Sequence, residues 1–455
     1  MRHTGEHLLA LHADSSVACT RSPGIRRLIP LAILALASSL PLTGLCADAT
    51  NGPAAANATP TAQALLSGAT TAARDFNVTT AFHLTQNTIQ VDTLLDRSAT
   101  SSTFILDSGA PMTIAASLVQ ALDLSSLTSI QLAGPEGGHS EVPVVRIPEI
   151  TVAGLVFRDV GAVVDWVQPP DGLACLSTAG LMGASLLQTA IWQIDFDSQH
   201  ITMTDSLSSL GSLQGAIRIP FTRSDAAGSP RIAVGVSDID NVSLLVDLGF
   251  NGSIAIPTSL LAKAGDRVAD TAPTEIGQAS TTVFGHSASE VHIAQLRELR
   301  LGSLRLSDFP VITGPSVSDF HVGIDFLRHF RVTLDWQNDA LYLEPREPIS
   351  SLYDNFATYG FAPQLHEGRL IVGALWQGGA AQQAGLALGD RIVSVDDRDT
   401  AAPSFESVCA LLDDVALYGS KTAPISVTRL RDGVEETVIV ARTPLLTNRL
   451  PAEDK

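Results

Sequence analysis

The chain has 455 residues, of which 45% are hydrophobic and 16% are charged, as in a globular protein with large cores. This length suggests about three domains. The net charge of −19 excludes the basic surface of nucleic-acid-binding proteins and gives anionic membranes no electrostatic attraction.

The N-terminal residues 1–47 have the pattern of a secretory signal peptide. Arg26 and Arg27 precede an apolar stretch from Leu28 to Leu42, and Ala47-Asp48-Ala49 offers a small-x-small cleavage site. We therefore expect an exported, periplasmic protein with no stable membrane insertion after signal removal. The alternative is an uncleaved membrane anchor, which two prolines and a pair of serines in the stretch disfavour. Residues 48–74, rich in Ala, Thr, Asn and Pro, are predicted to be a disordered leader or linker.

Two pairs of motifs recur at a fixed offset, which indicates an internal duplication. Two acidic triplets lie 140 positions apart (247 − 107), and so do two glycine-ending triplets (323 − 183). Each acidic triplet follows an apolar run and precedes a hydroxyl residue and an isoleucine. The motifs are Asp107-Ser108-Gly109, Asp247-Leu248-Gly249, Leu181-Met182-Gly183 and His321-Val322-Gly323.

This pattern resembles the pepsin and retropepsin clan of aspartic proteases, and most closely bacterial retropepsin-like proteases with two lobes and a PDZ domain. The resemblance implies a mainly β fold in which tandem duplication gives two closed β-barrel lobes, followed by an α+β PDZ domain. The predicted boundaries are 75–205 for lobe 1, 206–345 for lobe 2, 350–445 for the PDZ domain and 446–455 for a tail.

The resemblance implies that Asp107 and Asp247 are catalytic. Two carboxyl groups at hydrogen-bonding distance cannot both ionise cheaply, so they share a proton and can act as acid and base on a water nucleophile. The residues expected to support the active-site loops are Ser108, Gly109, Gly249, Thr113, Ser253, Gly183 and Gly323. Flap hairpins over the cleft are expected at Gly134–Gly138 in lobe 1 and at Val283–His286 in lobe 2.

Residues 353 onward resemble a PDZ domain of the bacterial protease type. Tyr359, Gly360, Phe361 and Ala362 match its carboxylate-binding loop, which implies a peptide ligand. A helical pattern over Ser404–Val415 is expected to line the peptide groove.

The leading hypothesis is thus an exported aspartic endopeptidase that acts on protein or peptide substrates as a monomer, without a cofactor or metal. Leu248 and Phe250 depart from the family pattern, since Leu248 cannot make the hydroxyl bond of its counterpart Ser108. They motivate the alternative, a catalytically weak or inactive peptide-binding pseudo-protease with a PDZ adaptor. Cys175 and Cys409 fall in different predicted domains, and we expect two unpaired thiols.

Overall fold

The computed structural model describes residues 61–96, 98, 100–133, 139–166, 175–277, 280–282, 285–287, 290–353, 357–396, 398–400, 407, 409–412 and 422–446. The predicted signal peptide and residues 48–60 lie outside this range, as do residues 447–455 of the predicted tail. The described residues belong to one compact unit and are mainly β, which confirms the predicted class. No helix among them is both long and apolar enough to span a membrane.

Between residues 61 and 205, the part of the chain that the structure describes forms twelve strands and short helices. The strands are β1 (Thr70–Thr71), β2 (Asn77–Ala81), β3 (His83–Thr85), β4 (Thr88–Leu95), β5 (Ser101–Asp107), β6 (Thr113–Ala115), β7 (Ser126–Ala133), β8 (His139–Val152), β9 (Leu155–Trp166), β10 (Leu181–Gly183), β11 (Ile191–Asp195) and β12 (His200–Thr204). The helices are Ala62–Leu66, Ala116–Ala121 and Ala184–Leu187.

Residues 206–345 repeat much of this order. The strands are β13 (Ile217–Arg223), β14 (Pro230–Val236), β15 (Ile239–Val246), β16 (Ile254–Ala255), β17 (Thr274–Gly277), β18 (Ser280–Thr282), β19 (Gly285–Ser287), β20 (Val291–Leu301), β21 (Leu304–Thr313), β22 (His321–Val322), β23 (Phe330–Asp335) and β24 (Ala340–Pro345). The helices are the 3-10 turn Leu207–Leu210, Thr258–Lys263 and Ile324–Leu327.

The C-terminal residues form a smaller unit with its own apolar core. Its elements are the 3-10 turn Ile349–Tyr353 and then β25 (Ala357–Thr358), β26 (Phe361–His366), β27 (Arg369–Trp376), the helix Ala380–Gln383, β28 (Arg391–Val395), β29 (Arg398–Asp399), β30 (Ile425–Arg431), β31 (Val434–Val440) and β32 (Thr443–Pro444). Residues 407 and 409–412 are helical. Tyr359, Leu370 and Ile425 are among the fully buried side chains of this core.

An antiparallel sheet joins the two repeats in the order β2–β12–β11–β23–β24–β13. At its centre Gln193 of β11 lies opposite Thr333 of β23, and the Gln193 amide donates to the Thr333 hydroxyl at 3.0 Å. These residues occupy equivalent positions in the two repeats, 140 apart. An approximate two-fold axis therefore passes between them and relates one repeat to the other.

Part of the predicted leader is ordered, which corrects the expectation for residues 61–74. In the helix Ala62–Leu66, Leu65 and Leu66 are buried against the lobe 1 strands β8 and β9. Gly161 of β9 lets the backbone of Leu65 approach closely, because a Cβ there would overlap it. The composition of this segment does not predict the packing, because only its two leucines bury large apolar side chains.

The expectation of unpaired thiols is wrong, because Cys175 and Cys409 form a disulfide with a Cα–Cα distance of 5.3 Å. The bond joins the segment before β10 in lobe 1 to the helical residues 409–412 of the C-terminal unit. The sequence held a signal for it, since the predicted export would bring the two cysteines beyond the predicted signal peptide into an oxidising compartment.

Candidate active site

Each repeat presents its aspartate at the end of a buried central strand. Strand β5 ends at Asp107, and it pairs with β4 on one side and in parallel with β10 on the other. Asp247 follows β15, which lies between β14 and the parallel strand β22. Phe104, Ile105 and Leu106 at the end of β5 are all buried, which fits the continuous apolar run of a strand covered on both faces.

The parallel pairings have the same register in both repeats. Ile105 pairs with Leu181 in lobe 1, and Leu245 pairs with His321 in lobe 2. All four positions are related by the same offset of 140. The duplication seen in the sequence is therefore a duplication of hydrogen-bonding geometry around the two aspartates.

The structure brings the two aspartates into contact across the two repeats. Gly109 lies so close to the Asp247 side chain that a Cβ on it would be 2.7 Å from Asp247 Cγ. Gly249 lies against the Asp107 carboxyl group in the same way. The two carboxyl groups share a side-chain hydrogen bond. Glycine is required at both turns because any side chain would displace the opposite carboxylate.

Backbone amides hold each carboxyl group from its own loop. Gly109 N donates to Asp107 Oδ1 at 2.8 Å, and Gly249 N donates to Asp247 Oδ1 at 2.9 Å. Phe250 N also donates to Asp247 Oδ1, at 3.1 Å. These donors fix one oxygen of each group and favour its ionised form.

Burial and mutual repulsion act against ionisation of the pair. Burial raises the pKa of Asp107 well above the usual range of a carboxyl group, and the charge of Asp247 raises it further. Burial also raises the pKa of Asp247, although His321 and the loop amides oppose that shift. Since two contacting carboxylates cannot both ionise cheaply, the pair retains one proton and titrates as a unit.

Ser108 braces the second active-site loop, whereas its counterpart does not brace the first. The Ser108 hydroxyl donates to Val246 O at 2.6 Å and accepts from Leu248 N at 3.1 Å. Leu248 is fully buried and belongs to the main apolar core. Hydrogen bonds from Ser108 therefore hold the second loop, whereas the Leu248 side chain contributes only apolar packing.

Phe250 does not separate the two carboxylates. Its ring folds back over Gly252 and Gly323 of its own repeat and meets the His321 ring edge to face, with centroids 4.4 Å apart. Its carbonyl accepts from Ile324 N at 2.8 Å, as Ala110 O accepts from Ala184 N in lobe 1. The bulky side chain thus leaves the loop geometry unchanged.

The remaining predicted support residues lie behind the two loops. The Thr113 hydroxyl accepts from Leu181 N at 2.8 Å, and the Ser253 carbonyl accepts from Gly323 N at 2.7 Å. Gly183 packs against the backbone of residues 111 and 112, and Gly323 packs against the backbone of residues 250 and 252. A side chain at either glycine would overlap this backbone and displace the loop that carries the aspartate.

Sequence reasoning missed His321, which sits beside the dyad. Burial lowers the pKa of His321, and the negative charges of Asp247 and Asp319 oppose that shift. The signal was present in the sequence, because His321 takes the place of Leu181 in the repeated glycine-ending triplet.

Each repeat contains a hairpin at the position of its predicted flap. In lobe 1 the hairpin β7–β8 pairs as far as Ala133 with His139, and the predicted tip 134–138 lies outside the described residues. In lobe 2, β18 and β19 pair as far as Thr282 with Gly285, and residues 283 and 284 lie outside that range. Strands β17 and β20 pair at the base of this second hairpin.

Of the four residues of the predicted peptide-binding loop, Tyr359 and Gly360 lie between β25 and β26, and the other two begin β26. Tyr359 is buried, and its hydroxyl donates to Ala423 O at 2.7 Å. Gly360 has a positive φ of 87°, a left-handed conformation that suits glycine. Phe361 and Ala362 begin β26 and pair with Leu375 and Ala374 of β27. Most of the helical pattern 404–415 lies outside the described residues.

Among the described residues, no group of three or more His, Cys, Asp or Glu side chains is arranged to hold a metal ion. In comparisons with known proteins, no family model and no curated protein matches this chain.

Proposed function

We propose that this chain is an aspartic endopeptidase whose catalytic groups are Asp107 and Asp247. The observation that carries the proposal is the contact between the two carboxyl groups, each placed against a glycine of the opposite repeat. A structural role explains this arrangement poorly, because two carboxyl groups held in contact and shielded from water cost stability, and acids perturbed in this way cluster at functional sites.

In the proposed reaction a water molecule lies between the two carboxyl groups. The ionised carboxylate takes a proton from the water, whose oxygen attacks the peptide carbonyl carbon. The protonated carboxyl group donates its proton to the carbonyl oxygen, which gives a neutral tetrahedral intermediate. The carbon–nitrogen bond then breaks: one carboxyl group of the dyad protonates the departing nitrogen, and the other carboxylate takes a proton from a hydroxyl of the intermediate. A carboxyl and an amino product form, and the dyad again holds one proton. The shared proton lets one pair supply both acid and base.

The rest of the chain supports substrate binding in this proposal. An extended peptide would lie across the dyad beneath the two hairpins and form strand-like main-chain hydrogen bonds. The C-terminal unit would act as a PDZ domain in which residues 359–362 receive a peptide terminus. Because one chain supplies both aspartates, we propose a monomer.

We further propose that the protein is exported, to the periplasm. The N-terminal pattern supports this, and the Cys175–Cys409 disulfide supports it independently, because such bonds persist in oxidising compartments.

The test is cleavage of an unfolded protein by the mature chain and by two variants, Asp107→Asn and Asp247→Asn, from acidic to neutral pH. We expect each variant to lose activity by at least about 10³-fold, since either change removes a proton-transfer group. Asp195→Asn is a matched control, because Asp195 accepts turn amides and lies in the inter-lobe sheet. Activity that survives both dyad variants would overturn the proposal.

One observation favours the second candidate, a peptide-binding protein with weak or no catalysis. Leu248 leaves the first active-site loop without the cross-lobe hydroxyl bond that Ser108 gives to the second. Substrate binding without cleavage by the unaltered protein would support this candidate.

A further inference from the structure

A tight turn of lobe 1 reaches the active-site loop of lobe 2. Gln86 and Asn87 form the turn between β3 and β4, and both have a positive φ, of 48° and 59°. Thr85 and Thr88 pair directly before and after them, so this is a two-residue turn of the type that favours asparagine. Asn87 is only 4% exposed, although it lies at the tip of a hairpin. Another part of the chain therefore covers the tip.

Two hydrogen bonds join this turn to Asn251, which follows Asp247 at a distance of four positions (251 − 247). The Asn87 side-chain amide donates to Asn251 O at 2.6 Å. In return, the Asn251 side-chain amide donates to Gln86 O at 3.3 Å. The two bonds cross from one repeat to the other, and they end on the loop that carries Asp247.

Side chains of lobe 1 therefore hold this loop, residues 247–251, at both ends. The Ser108 hydroxyl binds its start, through Leu248 N at 3.1 Å, and Asn87 binds its end. The backbone amides of the two residues in between, Gly249 and Phe250, donate to the carboxyl group of the loop's aspartate. The donors that fix this carboxyl group are thus themselves fixed from the opposite lobe.

Lobe 2 does not offer the same hold to the Asp107 loop. The position equivalent to Asn251 is Pro111 (251 − 140), which has no side-chain amide. The matching hairpin of lobe 2 also has a longer turn, because residues 224–229 separate β13 from β14. The one-sidedness seen at Ser108 therefore extends to the far end of the loop.

The burial of the Asn87 carboxamide is poorly explained by stability of the turn. Its oxygen is buried and accepts no hydrogen bond within the described part of the chain. A buried polar atom without a partner costs stability. Glycine would fit the positive φ without that cost. A side chain that satisfies only its donor half indicates a role in placing Asn251.

We propose that Asn87 is a positioning residue that holds the Asp247 loop against lobe 1 and so sets the place of Asp247 relative to Asp107. The catalytic consequence rests on the proposed function, whereas the hold on the loop does not. A loosened loop weakens the two amide donors to Asp247. Because these donors favour the ionised carboxylate, their weakening moves its ionisation to higher pH.

The first test measures hydrogen exchange of the Gly249 and Phe250 amides by NMR, in the full chain carrying Asn87→Gly. Glycine accepts the positive φ and removes the carboxamide. We expect exchange of both amides to become roughly two- to tenfold faster, the effect of losing one hydrogen bond. Asn241→Gly is the matched control and should leave both rates unchanged, because Asn241 also has a positive φ, of 57°, and is exposed.

A second variant, Asn87→Asp, keeps the test decisive if Asn87→Gly fails to fold. It retains the shape of the side chain. Its ionised carboxylate lacks the donor, whereas its protonated carboxyl group can donate an O–H to Asn251 O. Relative to the unaltered chain, we expect faster exchange of the two amides above neutral pH and equal exchange at acidic pH.

Cleavage gives a readout that a merely structural role would not move. Asn87→Gly should lower kcat by roughly two- to tenfold and leave KM within about twofold, because the contact lies on the loop rather than on the substrate. It should also move the acidic limb of the pH profile to higher pH. A structural role alone would lower Tm and leave that limb in place.

Amide exchange that is equal in both Asn87 variants and in the unaltered chain would overturn the proposal, and so would an unmoved acidic limb in an active Asn87→Gly. Faster exchange without any cleavage by the unaltered chain would support the hold on the loop and refute the proposed function instead.

Discussion

The Ser108 hydroxyl reaches across from lobe 1 to accept a hydrogen bond from the Leu248 backbone N–H in lobe 2, at 3.1 Å. The two residues hold the same position in the two repeats, directly after the aspartates. The brace between the two aspartate-bearing loops is therefore one-sided: the Ser108 hydroxyl supplies its polar part, and the Leu248 side chain supplies apolar contacts.

We expect Ser108→Ala to lower both stability and activity. The change leaves Leu248 N–H and Val246 C=O buried without their partner, which costs about 1–3 kcal/mol. Thermal unfolding and kcat measure the two effects. Ser108→Thr retains the hydroxyl and should keep most of both, so equal loss in the two variants would contradict the brace.

Replacing His321 with leucine should alter the acidic side of the pH profile. His321 lowers the pKa of Asp247, so its removal should raise that pKa and move the acidic limb of activity to higher pH. Asp319 and Arg231 also face His321, and both remain in the variant. His200→Leu, at an exposed hairpin, is the control. An unshifted acidic limb in His321→Leu would show that this histidine does not tune the dyad.

Asp325 offers a prediction on stability alone. Burial raises its pKa from 3.8 to about 7, and neither oxygen has a hydrogen-bond partner, although Arg328 lies 3.2 Å away. The folded chain binds the Asp325 proton more tightly than the unfolded chain, so this residue lowers the free energy of unfolding as pH rises from about 4 to about 7. Asp325→Asn should therefore stabilise the protein above pH 7, by roughly 2–4 kcal/mol, and change little at acidic pH.

Asp335 is the control for that prediction, because we expect its replacement to have the opposite effect on stability. It is as deeply buried, but its carboxylate accepts from Gln337 N and from both the backbone and the side chain of Asn338. Asp335→Asn should destabilise the chain at neutral pH. Chemical denaturation at two pH values would compare both variants, and a loss of stability in Asp325→Asn at neutral pH would be incompatible with the expected effect.

The disulfide should contribute measurably to stability. The Cys175–Cys409 bond closes a loop with a sequence separation of 234, and in the chain-entropy description opening a loop of this length costs about 5 kcal/mol. We expect a thiol reductant to lower Tm of the unaltered protein and to leave a Cys175→Ser, Cys409→Ser double variant unchanged. If reductant lowers both equally, the bond is not the cause.

The repeat geometry around the aspartates was accessible from the sequence, because it depends on local motifs. An apolar run, an acidic turn and a later glycine occur once in each repeat, at the same distance from one another. Each of these motifs is typical of one local backbone arrangement. The pairing of Gln193 with Thr333 could not be foreseen in the same way, since no local pattern marks where two repeats meet.

Contacts between distant segments were missed for the same reason. The helix Ala62–Leu66, the Cys175–Cys409 bond and the pairing of Glu275 with Trp376 depend on where folded parts of the chain come together. The glycine marks the repeated triplet, so His321 stands in the sequence only as the counterpart of Leu181, and its role follows from its interaction with Asp247.

The pH dependence of kcat/KM on an unfolded protein substrate tests the central claim most directly. Two carboxyl groups that share one proton predict a bell-shaped profile, with one limb for each ionisation of the pair, and its loss in Asp107→Asn and in Asp247→Asn. A profile controlled by a single ionisation, or one that persists in either variant, would contradict the account.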